Sequence, residues 1–203
     1  MTSSAFIAPI LLAAGTLAAT PLATAEAWNV DASHTEINFS VRHFFTPVTG
    51  SFKEFDIDLQ YDRANPSNST VSVTIDVASI DTGNADRDQH LMSGDFFEAE
   101  THPRITFRST SVRANGQDGL IATGPLTIKG VSREVQLPIT VLGIQEIPSD
   151  MQAMLGGIAR VAGFQAETEI RRQDFGVGVG SWAAAAVVGS EVGITIAVEA
   201  NQM

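Results

Sequence analysis

Apolar and polar side chains alternate along most of this chain, and the alternation limits what it can fold into. In residues 55–61 the apolar positions are separated by Asp56, Asp58 and Gln60. A two-residue repeat is typical of a β-strand with one buried face, and a shift of one residue would bury the carboxylates. Eight segments of this kind follow one another, separated mostly by short polar turns such as the one around residues 47–50. The pattern therefore predicts an all-β chain.

Eight antiparallel strands are enough for a sheet to close into a barrel, although a two-sheet sandwich also fits the alternation. The 203 residues contain no cysteine and no linker, so we expect one domain held together by its core. Two insertions interrupt the strands: a long helical or loop insertion after the third strand, and a short one before the last. For residues 145–157 the composition favours a loop over a helical turn.

Residues 1–27 have the composition of a secretory signal peptide. An apolar stretch over residues 5–19 precedes small residues that fit cleavage after Ala25 or after Ala27. A retained membrane anchor is the alternative, but the stretch is short for a span and contains Pro9 and Gly15. We therefore expect export, with residues 28–203 as the mature domain and no stable membrane insertion.

The composition also excludes several classes of function. A formal net charge of −11 disfavours nucleic acid and anionic membranes as electrostatic partners. The absence of cysteine excludes thiolate chemistry and cysteine-based zinc sites. No cofactor motif is present either, since the glycines at 176, 178 and 180 lack the spacing of a dinucleotide fingerprint.

Residues 79–107 form the long insertion and contain two of the four histidines, His90 and His102. Their polar cluster fits a metal site, an acid–base pair of Asp88 and His90, a head-group site, or a structural network. A network is favoured, with Arg87 paired to Asp81 or Asp95. A metal site would need Asp88 and His90 to converge with His102 or His43, and no nucleophile has an evident partner. We therefore predict neither a metal site nor a catalytic residue.

Several ordered motifs resemble the YceI-like family of bacterial exported proteins, also described as polyisoprenoid-binding or lipocalin-like. In the insertion they are SIDTG at residues 79–83, RDQHL at 87–91, DFF at 95–97 and PRITF at 103–107. Residues 28–50, GPLTIKGV at 124–131 and FQAETEIRRQDFG at 164–176 extend the resemblance over the whole mature chain. The chain departs from the family at His102, where an aromatic residue is common, and at Met92, where a basic residue is common.

The resemblance implies an eight-stranded, lipocalin-like antiparallel β-barrel in the periplasm. Its tunnel would hold an isoprenoid or another long amphipathic lipid of quinone or polyprenyl type, for transport, storage or sequestration. The lipid is then the ligand, no cofactor is expected, and a homodimer is a further expectation. The alternative is an enzyme or redox participant acting on the head group of a bound lipid.

The apolar face of each strand either packs a dry core or lines a tunnel, and the resemblance favours the tunnel. The residues predicted for the tunnel and its lid are Phe39, Phe55, Ile57, Val73, Ile75, Leu91, Met92, Phe96, Phe97, Phe107, Leu126, Ile139, Phe164, Phe175, Trp182 and Ile196. The residues predicted for the polar rim or lid network are His43, Asp81, Arg87, Asp88, His90, His102, Arg171 and Asp174. Of the neighbours Arg171 and Arg172, we expect one to be solvated and the other to pair with Asp174.

Overall fold

The computed structural model describes residues 25–184 and 186–203. Within them the strands are β1 Glu26–Val30, β2 Glu36–His43, β3 Thr46–Phe52, β4 Phe55–Tyr61, β5 Thr70–Asp76, β6 Ile80–Asp81, β7 Arg104–Arg108, β8 Ser111–Ala114, β9 Gly119–Ile128, β10 Val131–Glu146, β11 Arg160–Arg171 and β12 Val188–Gln202. The α-helices are α1 Ala85–Met92 and α2 Ser149–Gln152. None of the helices in these residues is both long and apolar enough to cross a membrane.

The twelve strands form a barrel of eight antiparallel strands. In each of the pairs β1 and β2, β3 and β4, β5 and β6, and β7 and β8, the two members lie end to end and count as one barrel strand. Strand β12 pairs with β11 along one edge, and with both β1 and β2 along the other. In the same way β2 pairs with β3 while β1 pairs with β4. The order then runs through β5, β7, β9, β10 and β11 back to β12. The predicted barrel is therefore confirmed, and the sandwich alternative is wrong.

The first barrel strand is broken between β1 and β2 by a 3₁₀ turn over Ala32–His34. The Asp31 carboxylate caps this turn by accepting from the backbone N–H of Ser33 at 2.9 Å. The His34 Nδ1 atom lies 2.9 Å from Asp31 Oδ2 and 3.7 Å from Glu199 Oε1. These contacts connect the break to β12, the strand that closes the barrel.

Two local predictions are wrong. The turn expected around residues 47–50 lies instead at Phe44 and Phe45, because β3 already begins at Thr46 and pairs it with His43. The loop favoured for residues 145–157 contains the short helix α2 and the last residues of β10. The pairing of β2 with β3 extends up to His43 and Thr46, so Phe44 and Phe45 must form the turn. This pairing outweighs the low intrinsic preference of phenylalanine for turns.

The connections alternate between the two ends of the barrel. One end carries the Phe44–Phe45 turn, the insertion 82–103, the Lys129–Gly130 turn and the loop 172–187, and we call it the lid end. The opposite end carries the turns at 62–69 and 115–118 and the segment 147–159 with α2. The insertions predicted after the third barrel strand and before the last strand therefore lie at the same end.

Most of the predicted signal peptide, residues 1–24, lies outside the described residues. Glu26 and Ala27 lie in β1, where they pair with Tyr61 and Gln60 of β4. The Glu26 carboxylate also accepts from Arg160 at 2.6 Å. Cleavage after Ala25 would leave these contacts intact, whereas cleavage after Ala27 would remove Glu26.

The Asp31–His34 pair predicts a measurable pKa shift. The hydrogen bond that Asp31 accepts from the His34 ring raises the pKa of His34 above 6.5, and the hydrogen bonds that it accepts from Ser33 and His34 lower the pKa of Asp31 to about 2. We expect Asp31→Asn to return the His34 pKa toward its ordinary value, measured by NMR titration of the imidazole. Glu199→Gln is the control and should lower it less, because that carboxylate is farther away.

The two pKa shifts determine how the stability of the protein changes with pH. The contribution of His34 is complete below pH 6.5, the ordinary value, and is lost as the pH rises through the raised pKa. The contribution of Asp31 is complete above pH 3.8 and is lost as the pH falls toward 2. An identical His34 titration in the wild-type protein and in Asp31→Asn would contradict this assignment.

Candidate functional site

The barrel encloses two apolar cavities that follow one another along its axis. The larger, of about 180 Å³, lies at the lid end, and the smaller, of about 60 Å³, lies toward the opposite end. Val73, Leu137 and Ile196 line both, so these residues form the junction between them. The accessible walls are apolar throughout. We treat the two cavities together as the candidate site.

Most of the side chains predicted for a tunnel line one of these cavities. In the larger cavity they are Phe39, Val73, Ile75, Leu91, Phe96, Phe97, Phe107, Leu126, Phe175 and Ile196, and the smaller adds Ile57, Ile139 and Phe164. Phe55, Met92 and Trp182 line neither, and are half-buried against the surrounding core. Except for Phe55, the predicted residues on strands line a cavity, because inward and outward positions in a barrel strand must alternate.

Other lining residues were not named from the sequence. In the larger cavity the apolar ones on strands share the inward parity and could have been found by extending the same pattern: Ile37, Val41, Phe52, Ile105, Ile128, Val135, Leu137, Ile170, Val188, Val192 and Ile194. Arg172 and Val177 also line the larger cavity, but they lie beyond the end of β11. No periodic signal predicts an arginine at an apolar wall.

The insertion 82–103 covers the larger cavity with apolar side chains. Helix α1 begins after Asn84, whose side-chain oxygen accepts from the backbone N–H of Arg87 at 3.0 Å. Leu91, Phe96 and Phe97 reach the cavity from this helix and the turn after it. The ring of Phe97 packs edge-on against Phe52 of β3, with centroids 6.2 Å apart. The insertion thus closes the lid end above the cavity.

Thr82 organises the polar side of the insertion. Its backbone N–H and hydroxyl both donate to Asp88 Oδ1, at 3.0 and 2.5 Å. Arg87 donates from Nε to the Thr82 hydroxyl and from a terminal nitrogen to the Thr82 carbonyl, each at 2.7 Å. The predicted pairing of Arg87 with Asp81 or Asp95 is therefore wrong. The network is present, but its centre is a threonine that the charge pattern could not indicate.

The two carboxylates expected to bind Arg87 have other partners. Asp81 lies 3.8 Å from Lys53 and accepts from the backbone N–H of Gly83 at 2.8 Å. Asp95 Oδ2 lies 3.1 Å from His90 Nε2 and accepts from the Trp182 indole at 3.3 Å. The hydrogen bonds with His90 and Trp182 both lower the pKa of the Asp95 carboxyl, and the bond with His90 has the larger effect.

The Asp95 contacts join the two insertions of the lid end. His90 and Phe96 belong to the insertion 82–103, and Trp182 belongs to the loop 172–187. Their rings pack on one another with centroids 5.0 to 5.7 Å apart. Trp182, predicted as a tunnel residue, therefore lies outside the cavity. Its ring packs against Phe96, which lines the cavity.

The remaining predicted polar residues are dispersed. Within residues 25–184 and 186–203, Asp88, His90, His43 and His102 do not form a group that could hold a metal ion, whereas Asp31, His34 and Glu199 lie close together outside the cavity. The ring of His43 packs against Phe44, and that of His102 lies over Gly130. Arg171 is exposed at the end of β11.

Arg172 is buried at the lid end, with 4% of its surface exposed. All five of its N–H groups donate to backbone carbonyls: Nε to Gly189 at 2.8 Å, one terminal nitrogen to Val177 at 3.0 Å and to Gly178, and the other to Trp182 at 2.8 Å and Val188 at 2.9 Å. These carbonyls belong to the chain between residues 177 and 189. One guanidinium thus determines the path of the loop that precedes β12.

The expected pairing of one of the two arginines with Asp174 is wrong, since neither Arg171 nor Arg172 forms an ion pair with a carboxylate in the described part of the chain. Burial lowers the pKa of the Arg172 guanidinium, but an arginine side chain still remains charged. Gly178 has φ +60°, and a Cβ there would lie 2.5 Å from an Arg172 nitrogen. Only glycine therefore fits beside the guanidinium without rearrangement.

Residues 28–200 match the family model of the YceI-like domain. The chain belongs to the YceI-like family. Protein YceI of Escherichia coli O157:H7 is 38% identical over 148 residues, which cover 72% of this chain and 73% of the relative. The UPF0312 protein of Ectopseudomonas mendocina is 34% identical over 172 residues, covering 84% and 86%.

Two solved structures superpose on the barrel. BcnA of Burkholderia cenocepacia superposes with a TM-score of 0.74 at 29% identity, covering 84% of this chain and 99% of BcnA. A polyisoprenoid binding domain from Saccharophagus degradans superposes with a TM-score of 0.63 at 17% identity, covering 88% and 99%. The second likeness concerns the fold alone.

Replacing Arg172 should destabilise the protein far more than replacing its exposed neighbour. We expect Arg172→Met to lower the free energy of unfolding by about 3 kcal/mol or more, because buried carbonyls lose their donors. Arg171→Met, the matched control, should change it by less than about 0.5 kcal/mol. Chemical denaturation measures both values, and equal losses for the two variants would contradict the assigned role.

Proposed function

We propose that this YceI-like protein binds the tail of an isoprenoid or another long amphipathic lipid inside the barrel. The observation that carries the proposal is the pair of apolar cavities joined at Val73, Leu137 and Ile196. Their succession along the axis suits a slender chain better than a compact ligand. A quinone or polyprenyl tail has this shape.

The chemistry of the walls supports an apolar ligand. An apolar cavity offers water no hydrogen-bond partners, so a hydrocarbon is the more favourable occupant. Each methylene group transferred from water contributes about 0.8 kcal/mol without any directional contact. Arg172 is the charged residue in the lining, and all five of its N–H groups are already used. The cavity therefore selects for shape and apolar character.

The comparisons support the same class of ligand. The neighbour from Saccharophagus degradans is described as a polyisoprenoid binding domain, and its barrel superposes over 88% of this chain. Its low identity limits this support to the architecture. The cavity walls of the present protein supply the independent reason for proposing a lipid.

A binding role fits the geometry better than chemistry on the lipid head group. The enzymatic alternative needs Asp88 and His90 to act together, yet they are two positions apart on α1 and so point in different directions. Asp88 bonds to Thr82, and His90 bonds to Asp95. Neither side chain lines the cavities. We therefore propose transport, storage or sequestration of the lipid.

Export to the periplasm is part of the proposal. It rests on the signal-peptide pattern of residues 1–27. The contacts of Glu26 in β1 favour cleavage after Ala25. A homodimer stays a prediction from the family resemblance.

Mass spectrometry of protein purified from its own host tests the proposal. Under native conditions we expect an added mass, and organic extraction should release a lipid with a long apolar chain. The control variant Arg171→Met should retain the same added mass, because that residue is exposed and lies outside the cavity lining. Protein without added mass and without extractable lipid would overturn the proposal.

A variant at the junction of the cavities tests the path of the tail. Ile196→Phe places a larger side chain between the two cavities and should shift the bound lipids toward shorter tails, measured as chain length in the extract. Thr195→Phe is the matched control, because Thr195 is the outward-facing neighbour on β12. An unchanged distribution in Ile196→Phe would show that the tail does not pass the junction.

A further inference from the structure

The turn between β2 and β3 exposes two large aromatic side chains. Phe45 is 94% exposed and Phe44 is 48% exposed. The six residues from Arg42 to Pro47 are all exposed. The turn therefore projects from the barrel as a narrow apolar tip.

This tip is unfavourable for an isolated soluble protein. Phe44 has φ +50°, a left-handed conformation that glycine and asparagine adopt far more easily. Two-residue hairpin turns accordingly favour glycine and asparagine. Ordinary turn residues would avoid both the backbone strain and the exposed rings. The fold therefore does not require phenylalanine at positions 44 and 45, which points to a role in binding.

The tip lies at the mouth of the larger cavity. His43 pairs with Val188, and the backbone N–H of Phe44 donates to the Val187 carbonyl at 2.8 Å. Val41 and Val188, next to these contacts, line the cavity. Val179, in the loop at the same end, is 44% exposed. The apolar surface therefore extends from the cavity wall to the tip.

The charge around the tip differs from that of the whole chain. The net charge of the protein is −11, yet residues 37–52, which include the turn, β3 and all of β2 except Glu36, contain no Asp or Glu and include Arg42. Arg42 is exposed, and in the described part of the chain it forms no ion pair. The tip can therefore approach phosphate groups with little repulsion from its own sequence.

We propose that Phe44 and Phe45 insert into the interface of a phospholipid bilayer and place the lid end against the membrane. Aromatic side chains favour this interface, and exposed apolar tips beside a cation suit shallow, reversible binding. The lipid of the proposed function would then exchange between the bilayer and the cavity without crossing water. That exchange rests on the proposed function, whereas the docking itself does not.

The size of the tip favours a bilayer over a second protein. A stable protein interface buries about 1,200–2,000 Å² in total, and one aromatic side chain supplies about 150–250 Å². Two phenylalanines on a narrow turn do not reach that area. A bilayer needs no matching surface, so a small tip is sufficient. Because the net charge is negative, we expect binding to zwitterionic lipid that anionic lipid does not strengthen.

Co-sedimentation with phosphatidylcholine vesicles tests the docking, using protein from its host after its lipid has been extracted and the protein refolded. Phe44→Gly combined with Phe45→Asn should reduce the bound fraction at least tenfold, and glycine suits the positive φ, so the hairpin is retained. Met154→Ser is the matched control, because Met154 is 74% exposed at the opposite end of the barrel. It should bind vesicles as the wild type does.

Tryptophan quenching by brominated phosphatidylcholine gives the orientation. Trp182 lies at the lid end, whereas Trp28 is buried in β1 toward the opposite end. We expect vesicles to quench the emission of Trp28→Phe, which retains Trp182. They should leave the emission of Trp182→Phe unchanged.

The proposal would be overturned by no binding to phosphatidylcholine, by equal binding of the double variant, or by binding only to anionic vesicles. A loss of self-association in the double variant without vesicle binding would identify a second copy as the occupant, and would also overturn it. These outcomes differ from a failure of the proposed lipid function. That failure appears as protein without extractable lipid, whereas the vesicle experiment starts from emptied protein.

Discussion

The closure of the barrel by β12 is the constraint on which the rest of the structure depends. This strand pairs with β11 on one side and with β1 and β2 on the other, so the sheet has one continuous inner face. A barrel of eight strands leaves only a narrow interior, and the inward-facing side chains of this one are mostly apolar. The cavities and their order along the axis both follow from this closure. So does the position of the two insertions at one end.

The lid end is held by a small number of polar contacts around apolar ones. Arg172 uses every N–H group to hold the loop before β12, and Thr82 plays the corresponding part in the insertion 82–103. Asp95 then joins the insertions through His90 and Trp182. Because these contacts satisfy the polar groups internally, Phe96 and Phe97 can complete an apolar wall. Charge at this end positions the cover and leaves recognition to the hydrophobic surface.

The same end combines a closed cavity with an exposed aromatic tip. The lining buries aromatic side chains, whereas Phe45 presents its ring to the surroundings. A ligand with negligible solubility in water needs a direct route from its source, and apolar surface at the mouth shortens that route. In the proposed function the barrel would supply the storage site, and in the proposed docking the turn would supply the point of contact with the bilayer.

The sequence by itself determined the strands, the inward parity of residues such as Phe39 and Ile196, the number of barrel strands and the place of both insertions. It did so because a two-residue repeat and a break in that repeat are local signals. The tertiary structure alone decided the partners of Arg87 and Arg172, the central role of Thr82, and the turn at Phe44 and Phe45. Those features depend on backbone carbonyls and strand registers that come together only in the folded barrel, and such contacts leave no pattern in the order of residue types.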